Sequence, residues 1–293
     1  MEKTCFNQDY CEFCGKDSKG IFYGRGYSYK VLECRECGLL WCDPLCNDDY
    51  LKSVDGSYNA EDVYLEQEKY QKKRFRDQLK KVLEYTEKER RKLKILDIGS
   101  GLGFFLDVCE EAGIDCTGCD INRNAVNFCN RNRVRAFQGT IEDNFEVNSF
   151  DIIFAFNLIE HLHHPEKFIR RCAELLKSGG LLVLETPLRE SLFHYAARVG
   201  DLLTGYRLNY YGLSTNGHIY KFSRRTFGKF SFAGFRQLYC GSVGSPFGEI
   251  SGKLKMLTTV NRVILSIALP VFWLAARITG LNNRIFCIMK VSK

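Results

Sequence analysis

Four cysteines in two matching pairs are the first residues whose spacing could do chemistry. Cys11-Glu12-Phe13-Cys14-Gly15 and Cys34-Arg35-Glu36-Cys37-Gly38 each set two thiols on one tight turn, and each is followed by a glycine that lets backbone N–H groups fold toward sulfur. Two such turns supply four soft ligands in a tetrahedron, the set that a structural Zn2+ prefers. A redox C-x-x-C or chance burial is the alternative; the duplicated pair, with Gly after each copy, favours Cys11, Cys14, Cys34 and Cys37 as zinc ligands. Four thiolates leave no open coordination position, so the ion would staple a small domain. The nineteen residues between the pairs suit a ribbon, with a hairpin over Gly20–Leu32. Cys5, Cys42 and Cys46 lack the spacing and read as packing cysteines.

A second constellation follows. Lys94-Ile95-Leu96-Asp97-Ile98 is a short apolar strand, Gly99-Ser100-Gly101-Leu102-Gly103 a glycine turn, and Phe104-Phe105-Leu106 the start of a helix. Such a turn lets backbone approach a ligand with no Cβ in the way and aims a helix N-terminus at it. A dinucleotide fingerprint needs its third glycine at position 104, which is Phe, and the Gly-Lys-Ser/Thr of a P-loop is absent. Further along stand residues that could move a proton: His161, His218 and Tyr220. His161, at the mouth of a strand, reads equally as general base or as a satisfied structural group. His218 is either catalytic or a residue bonded to backbone at a helix entry. Tyr220 either reacts or packs.

The elements that would position these groups alternate. After the helix over Phe104–Ala112, ended by Gly113, come a strand at Asp115–Cys119, a helix at Asn122–Asn132 and a strand at Val134–Gln138. Phe150–Phe156 is unbroken and apolar, as a strand buried on both faces should be. Pro165 opens a helix that Gly179-Gly180 should stop, and Leu181–Glu185 is the fifth strand. This alternation predicts an α/β fold, a mainly parallel sheet with helices on both faces.

The motif Asp97-x-Gly99-x-Gly101-x-Gly103 resembles motif I of the class I S-adenosylmethionine (SAM)-dependent methyltransferases. The resemblance extends to Asp120 at the end of the second strand, to Phe150-Asp151 with Glu160-His161-Leu162, and to Leu176-Lys177-Ser178-Gly179-Gly180. It implies a Rossmann-like seven-stranded sheet with the last strand antiparallel, here preceded by a zinc ribbon. It also implies SAM held by Asp97, Gly99, Gly101, Gly103, Asp120 and Ile121, with Asn157 near its far side. In the family an Asp after Gly139 usually meets the adenine; this chain has Thr140 there, so the role passes to Glu142, Asp143 or the backbone of Ile141. Gly217-His218-x-Tyr220-x-Phe222-Ser223, followed by Ala233-Gly234-Phe235, resembles the signature of a subfamily. Its members often carry a cysteine zinc region in front and act in polysaccharide, sugar or lipid pathways. The implied reaction moves a methyl group to a hydroxyl or activated carbon of a small-molecule, sugar or lipid-linked acceptor.

The remaining stretches set domain limits. Residues 1–47 form the ribbon, and 48–93 a linker with a charged helix whose Phe75, Leu79, Val82 and Leu83 make one stripe. Its clustered Lys72, Lys73, Arg74 and Arg76, interleaved with Glu and Asp, favour a solvated face over a basic patch. Residues 94–293 form the methyltransferase domain. The segment 188–222 is rich in Tyr and suited to roof a substrate; 254–281 is a hydrophobic insertion. Within it Met256–Ala276 has Asn261, Arg262 and Pro270, and a strand-like Arg284–Lys290 follows. That order favours peripheral membrane contact, with Phe272 and Trp273 at the interface, over a helical hairpin packed in the protein or a homodimer. A net charge of +7 on 293 residues, and no Asn/Asp-Pro-Pro-Tyr motif, argue against a nucleic-acid substrate. Fourteen cysteines with no apolar h-region in Met1–Tyr10 point to the cytoplasm, at the membrane face if the insertion docks there. The rival from another class is a zinc-ribbon interaction module with a degenerate, non-catalytic SAM domain.

Overall fold

The computed structural model describes residues 10–25, 30–43, 61–132, 134–143, 145–203, 218–247 and 259–292. Cys5, Cys46, the linker over 48–59, Tyr206, Tyr210, Tyr211, Gly217, Lys253, Lys255 and Met256 lie outside the described residues.

The ribbon strands are β1 (Tyr10–Cys11), β2 (Gly15–Arg25), β3 (Lys30–Cys34) and β4 (Leu40–Asp43), joined antiparallel in chain order. The β2–β3 pairing forms the expected hairpin, with a register shift between Phe22 and Gly24. Helix α1 (Glu61–Leu83) then leads to the larger sheet. That sheet is built from β5 (Lys94–Ile98), β6 (Asp115–Asp120), β7 (Ala136–Gln138), β8 (Phe150–Phe156) and β9 (Leu176–Pro187). Between them run α2 (Phe104–Glu111), α3 (Arg123–Arg131) and α4 (Pro165–Leu175). Next come α5 (Leu192–Leu203), β10 (Tyr220–Lys221), α6 (Arg224–Phe227), β11 (Phe235–Val243), α7 (Thr259–Thr279) and β12 (Arg284–Val291).

The large sheet has seven strands in the order β11-β12-β9-β8-β5-β6-β7. Strands β5 to β9 pair parallel, and β12 runs antiparallel to both β9 and β11. Its centre is apolar on both faces: Phe154 at 0% exposure touches Phe105, which also meets Phe75 of α1 and Phe156. Each such ring contributes about 1.5–3 kcal/mol by burial.

Four expectations change in detail. Helix α4 ends at Leu175, before the glycines, because Leu176 is already extended and β9 begins there; Gly179, left-handed at φ 73°, lies inside the strand. The basic cluster of α1 forms no patch, and only part of it is a solvated face, where Lys73 lies exposed. Arg74 is buried and pairs with Glu185, Lys72 meets Glu68 and Asp107, and Arg76 meets Glu111. Over Thr259–Thr279 the insertion is one continuous helix, α7, with Pro270 inside it. Its aromatics pack on protein. Phe272 faces Phe193, and Trp273 donates through Nε1 to the Ser245 carbonyl at 3.0 Å. Among the described residues no helix is long and apolar enough to cross a membrane.

The ribbon is not a detached head. Strand β10 joins its sheet, pairing antiparallel with β4 so that Tyr220 lies opposite Trp41. Phe13 of the first cysteine turn stacks on Phe230 at 5.0 Å and meets Phe222 edge-on. The small domain and the signature segment therefore share one apolar core.

Candidate functional site

The glycine turn sits where β5 hands over to α2, and all three glycines are left-handed: Gly99 at φ 74°, Gly101 at 52° and Gly103 at 79°. That region strains a side-chain-bearing residue. At Gly103 an added Cβ would also fall 2.9 Å from the Cys129 sulfur. The bare backbone turn is thus required by conformation and by packing, and it opens toward the C-terminal edge of the sheet, where α/β folds bind ligands.

Two carboxyls frame this turn. Asp120, at the end of β6, accepts 2.8 Å hydrogen bonds from the N–H groups of Gly101 and Asn122. Burial raises its pKa, and the two N–H donors oppose that. Asp97 is 2% exposed, and its Oδ1 has no hydrogen-bond partner among the described residues. Burial, then the charge of Asp120, pushes its pKa up to about 8. A buried acceptor with no donor is costly unless something binds there. The Ser100 hydroxyl in the glycine turn is likewise buried with no hydrogen-bond partner among the described residues.

Around these groups, Ile121 exposes its side chain next to Asp120, while Ile141 is buried and its carbonyl accepts from Arg171. Asp143 is turned inward on its own loop, accepting from the Thr140 N–H and hydroxyl at 2.9 Å each, which lowers its pKa. Glu142 is exposed, 3.8 Å from Arg171. Asn157 ends β8 in a left-handed conformation, φ 50°, and its N–H donates to the Glu185 carbonyl at 2.7 Å.

The proton-handling candidates divide. His161 and His218, far apart in sequence, meet edge-on with ring centroids 4.6 Å apart. Glu160, at 0% exposure, joins them, with Oε1 4.0 Å from the Nε2 of His218. Its Oε2 accepts from the Thr186 hydroxyl at 2.8 Å, and its carbonyl accepts from the N–H of Ile219. Burial raises the Glu160 pKa to about 8. Tyr220 stands apart from this group. Its ring is 1% exposed in the ribbon interface and its hydroxyl donates to the His163 carbonyl, so its surroundings are those of a packing residue.

Sequence reasoning passed over Thr186, which aims Glu160, and Glu185, which is fully buried and held by Arg74, Gln78 and Arg284. The one available signal was an acid ending the otherwise apolar run Leu181-Leu182-Val183-Leu184.

The four ribbon cysteines converge, with sulfurs all within 4.8 Å of one another. Cys11 and Cys37 lie 3.6 Å apart; the Cys11 thiol draws the Cys37 pKa down to about 5 while its own rises. The second turn uses its glycine as expected, Gly38 being left-handed at φ 73°. Four thiols at this spacing fit one tetrahedral ion such as Zn2+. Cys42 is buried against Tyr23, Val31 and Leu40, outside the cluster.

Comparison with known proteins agrees with this geometry. A family profile described as a methyltransferase domain matches residues 69–235, more than half of the chain. Ubiquinone biosynthesis O-methyltransferases are similar over shorter stretches. The one from Vibrio parahaemolyticus is 29% identical over 115 residues, 36% of this chain and 49% of that protein. The one from Vibrio atlanticus is 30% identical over 115 residues, 36% and 48% respectively. The chain thus spans about half the length of these curated relatives. Among solved structures, a SAM-dependent methyltransferase from Thermotoga maritima superposes with a TM-score of 0.53 at 15% identity, covering 83% of this chain and 99% of that one. One from Archaeoglobus fulgidus gives 0.50 at 20% identity, covering 78% and 98%. At these identities the likeness is one of fold.

Proposed function

This chain belongs to the methyltransferase-domain family and is a SAM-dependent methyltransferase, and from that premise we propose that it methylates a hydroxyl of a small-molecule acceptor. The observation that carries the reading is the meeting of Glu160, His161 and His218 beside the glycine turn's end of the sheet. Bound SAM supplies a methyl group on a positively charged sulfur. Asp97 and the left-handed turn Gly99–Gly103 would hold it, with Asp120, Ile121, Ile141, Glu142 and Asn157 around the nucleoside and the far end. The fit rests on Asp97: a buried carboxyl oxygen without a donor suits a cofactor that brings an ammonium group. The cluster of Glu160, His161 and His218 would meet the acceptor hydroxyl and ease the loss of its proton as the new C–O bond forms.

Relatives named for O-methylation in ubiquinone biosynthesis support a hydroxyl over a carbon acceptor. A lipid-linked acceptor is supported by the surface. Helices α5 and α7 touch through Phe193 and Phe272, and together they expose Tyr195, Val199, Leu202, Leu203, Val271, Leu274 and Ile278. Arg277 stands among them, exposed, so an anionic bilayer is the surface that complements both the apolar and the charged groups. Labelled methyl from SAM, offered with a cell extract split into lipid, glycan and RNA fractions, should enter the lipid fraction. Label confined to RNA, or no transfer at all, would overturn the proposal. Flotation with anionic vesicles should be lost in Leu203→Glu/Ile278→Glu; an unchanged profile removes the membrane part.

A further inference from the structure

We infer that Glu160, His161 and His218 form a second metal site, distinct from the cysteine cluster, that holds a divalent transition ion beside the acceptor. The inference rests on the reading that this cluster faces the acceptor. The three side chains each offer one ligand atom, and these atoms lie within 4.8 Å of one another. Two imidazoles and one carboxylate are the donor set that divalent zinc, cobalt, manganese or iron takes when it keeps positions open for other ligands.

The independent observation is Glu160 itself. Its side chain is fully buried, and its Oε1, the oxygen facing His218, has no hydrogen-bond partner among the described residues. Leaving a buried carboxylate oxygen bare is unfavourable, and an ion in front of it removes the cost. The other oxygen is tied to Thr186 at 2.8 Å, the outer hydrogen bond that orients a ligating carboxylate. Donors around one tetrahedral ion lie about 3.4 Å apart. The 4.0 Å between Oε1 and the Nε2 of His218 closes to that by a sub-ångström turn of one ring.

Three protein donors leave the rest of the coordination shell to the acceptor. An acceptor with two neighbouring oxygens, a vicinal diol or an ortho-hydroxyphenol, would chelate through both. The ion would favour the ionised hydroxyl, and the proton released would leave to solvent.

The test uses the full chain with its cysteine site loaded with zinc. Titrated Co2+ should bind as a second equivalent and give ligand-field bands without the thiolate charge transfer of a cobalt–cysteine site. Total metal should fall from two equivalents to one in His218→Ala and in Glu160→Gln. Thr186→Val should keep the site but weaken Co2+ binding roughly 10- to 100-fold. Catechol, as a probe with two adjacent oxygens, should shift the cobalt bands. One equivalent in the parent protein, or two in His218→Ala, overturns the inference, and unshifted bands overturn the chelation. SAM calorimetry on every variant reports the fold. Transfer that persists with a single metal would leave the methyltransferase reading standing alone; two metals with no transfer would do the reverse.

Discussion

Asp97 carries a proton at neutral pH that a solvated carboxyl would have lost, because it is buried and lies near Asp120. Folded, it titrates at about 8; unfolded, near the ordinary carboxyl value of 3.8. Between those values the folded state binds the extra proton, so this residue makes stability fall as pH rises through the window. A cationic group bound at Oδ1 reverses the preference and drives the proton off. SAM binding at pH 7 should therefore release a proton, and the release should fade above pH 8. Calorimetry in two buffers of different ionisation enthalpy reads this directly, and Asp97→Asn should abolish it. Equal heats in both buffers would remove Asp97 from the cofactor site. The glycine spacing and the acid were legible as types and positions in the sequence. The missing donor at Oδ1 was not, because it depends on what β5 and its neighbours β6 and β8 leave around one oxygen.

At the scale of elements, α1 shows how a charged sequence conceals a buried role. Its apolar stripe was readable, and Phe75, Leu79 and Val82 are indeed buried. Arg74 was grouped with exposed cations since nothing local separates it from Arg76. The difference lies across the chain: Arg74 meets Glu185 and Arg76 meets Glu111, a pair half exposed on both sides. Removing one partner of a buried pair leaves a charge without water, whereas exposed pairs contribute little. Arg74→Ala should cost about 3 kcal/mol in urea unfolding, the low end for such pairs because Arg284 stays on Glu185. Arg76→Ala should cost at most about 0.5 kcal/mol. Equal losses would mean that the Glu185 cluster holds nothing together. The same cluster sits beneath the site, since Glu185 also accepts from the N–H of Asn157 and precedes Thr186 in β9.

At the scale of the whole molecule, the ribbon and the candidate site are one unit. The chain reads as small domain, linker and large domain, and that reading is local by nature: no spacing rule says that a strand near residue 220 completes a sheet begun near residue 10. The joint is dense. The Cys37 carbonyl accepts from the hydroxyls of Ser223 and Thr226, Gly38 accepts from Arg189, and the Cys42 N–H donates to the Ile219 carbonyl. Ile219 in turn donates to Glu160, one residue after His218. The cysteine turns therefore hold the backbone that carries His218, while the glycine turn over Gly99–Gly103 is held by β5, β6 and α3. Loss of the ribbon ion should separate the two functions. Cys11→Ser should lower the cysteine-bound zinc from about one per chain toward zero. Transfer should drop roughly 100-fold, the effect of displacing a reacting group by about an ångström, while calorimetric SAM affinity stays at the parent value. Zinc-free protein that still transfers at the parent rate would reduce the ribbon to a passive cap. A parallel loss of SAM affinity would mean that the ion supports the whole sheet and not the signature strand alone.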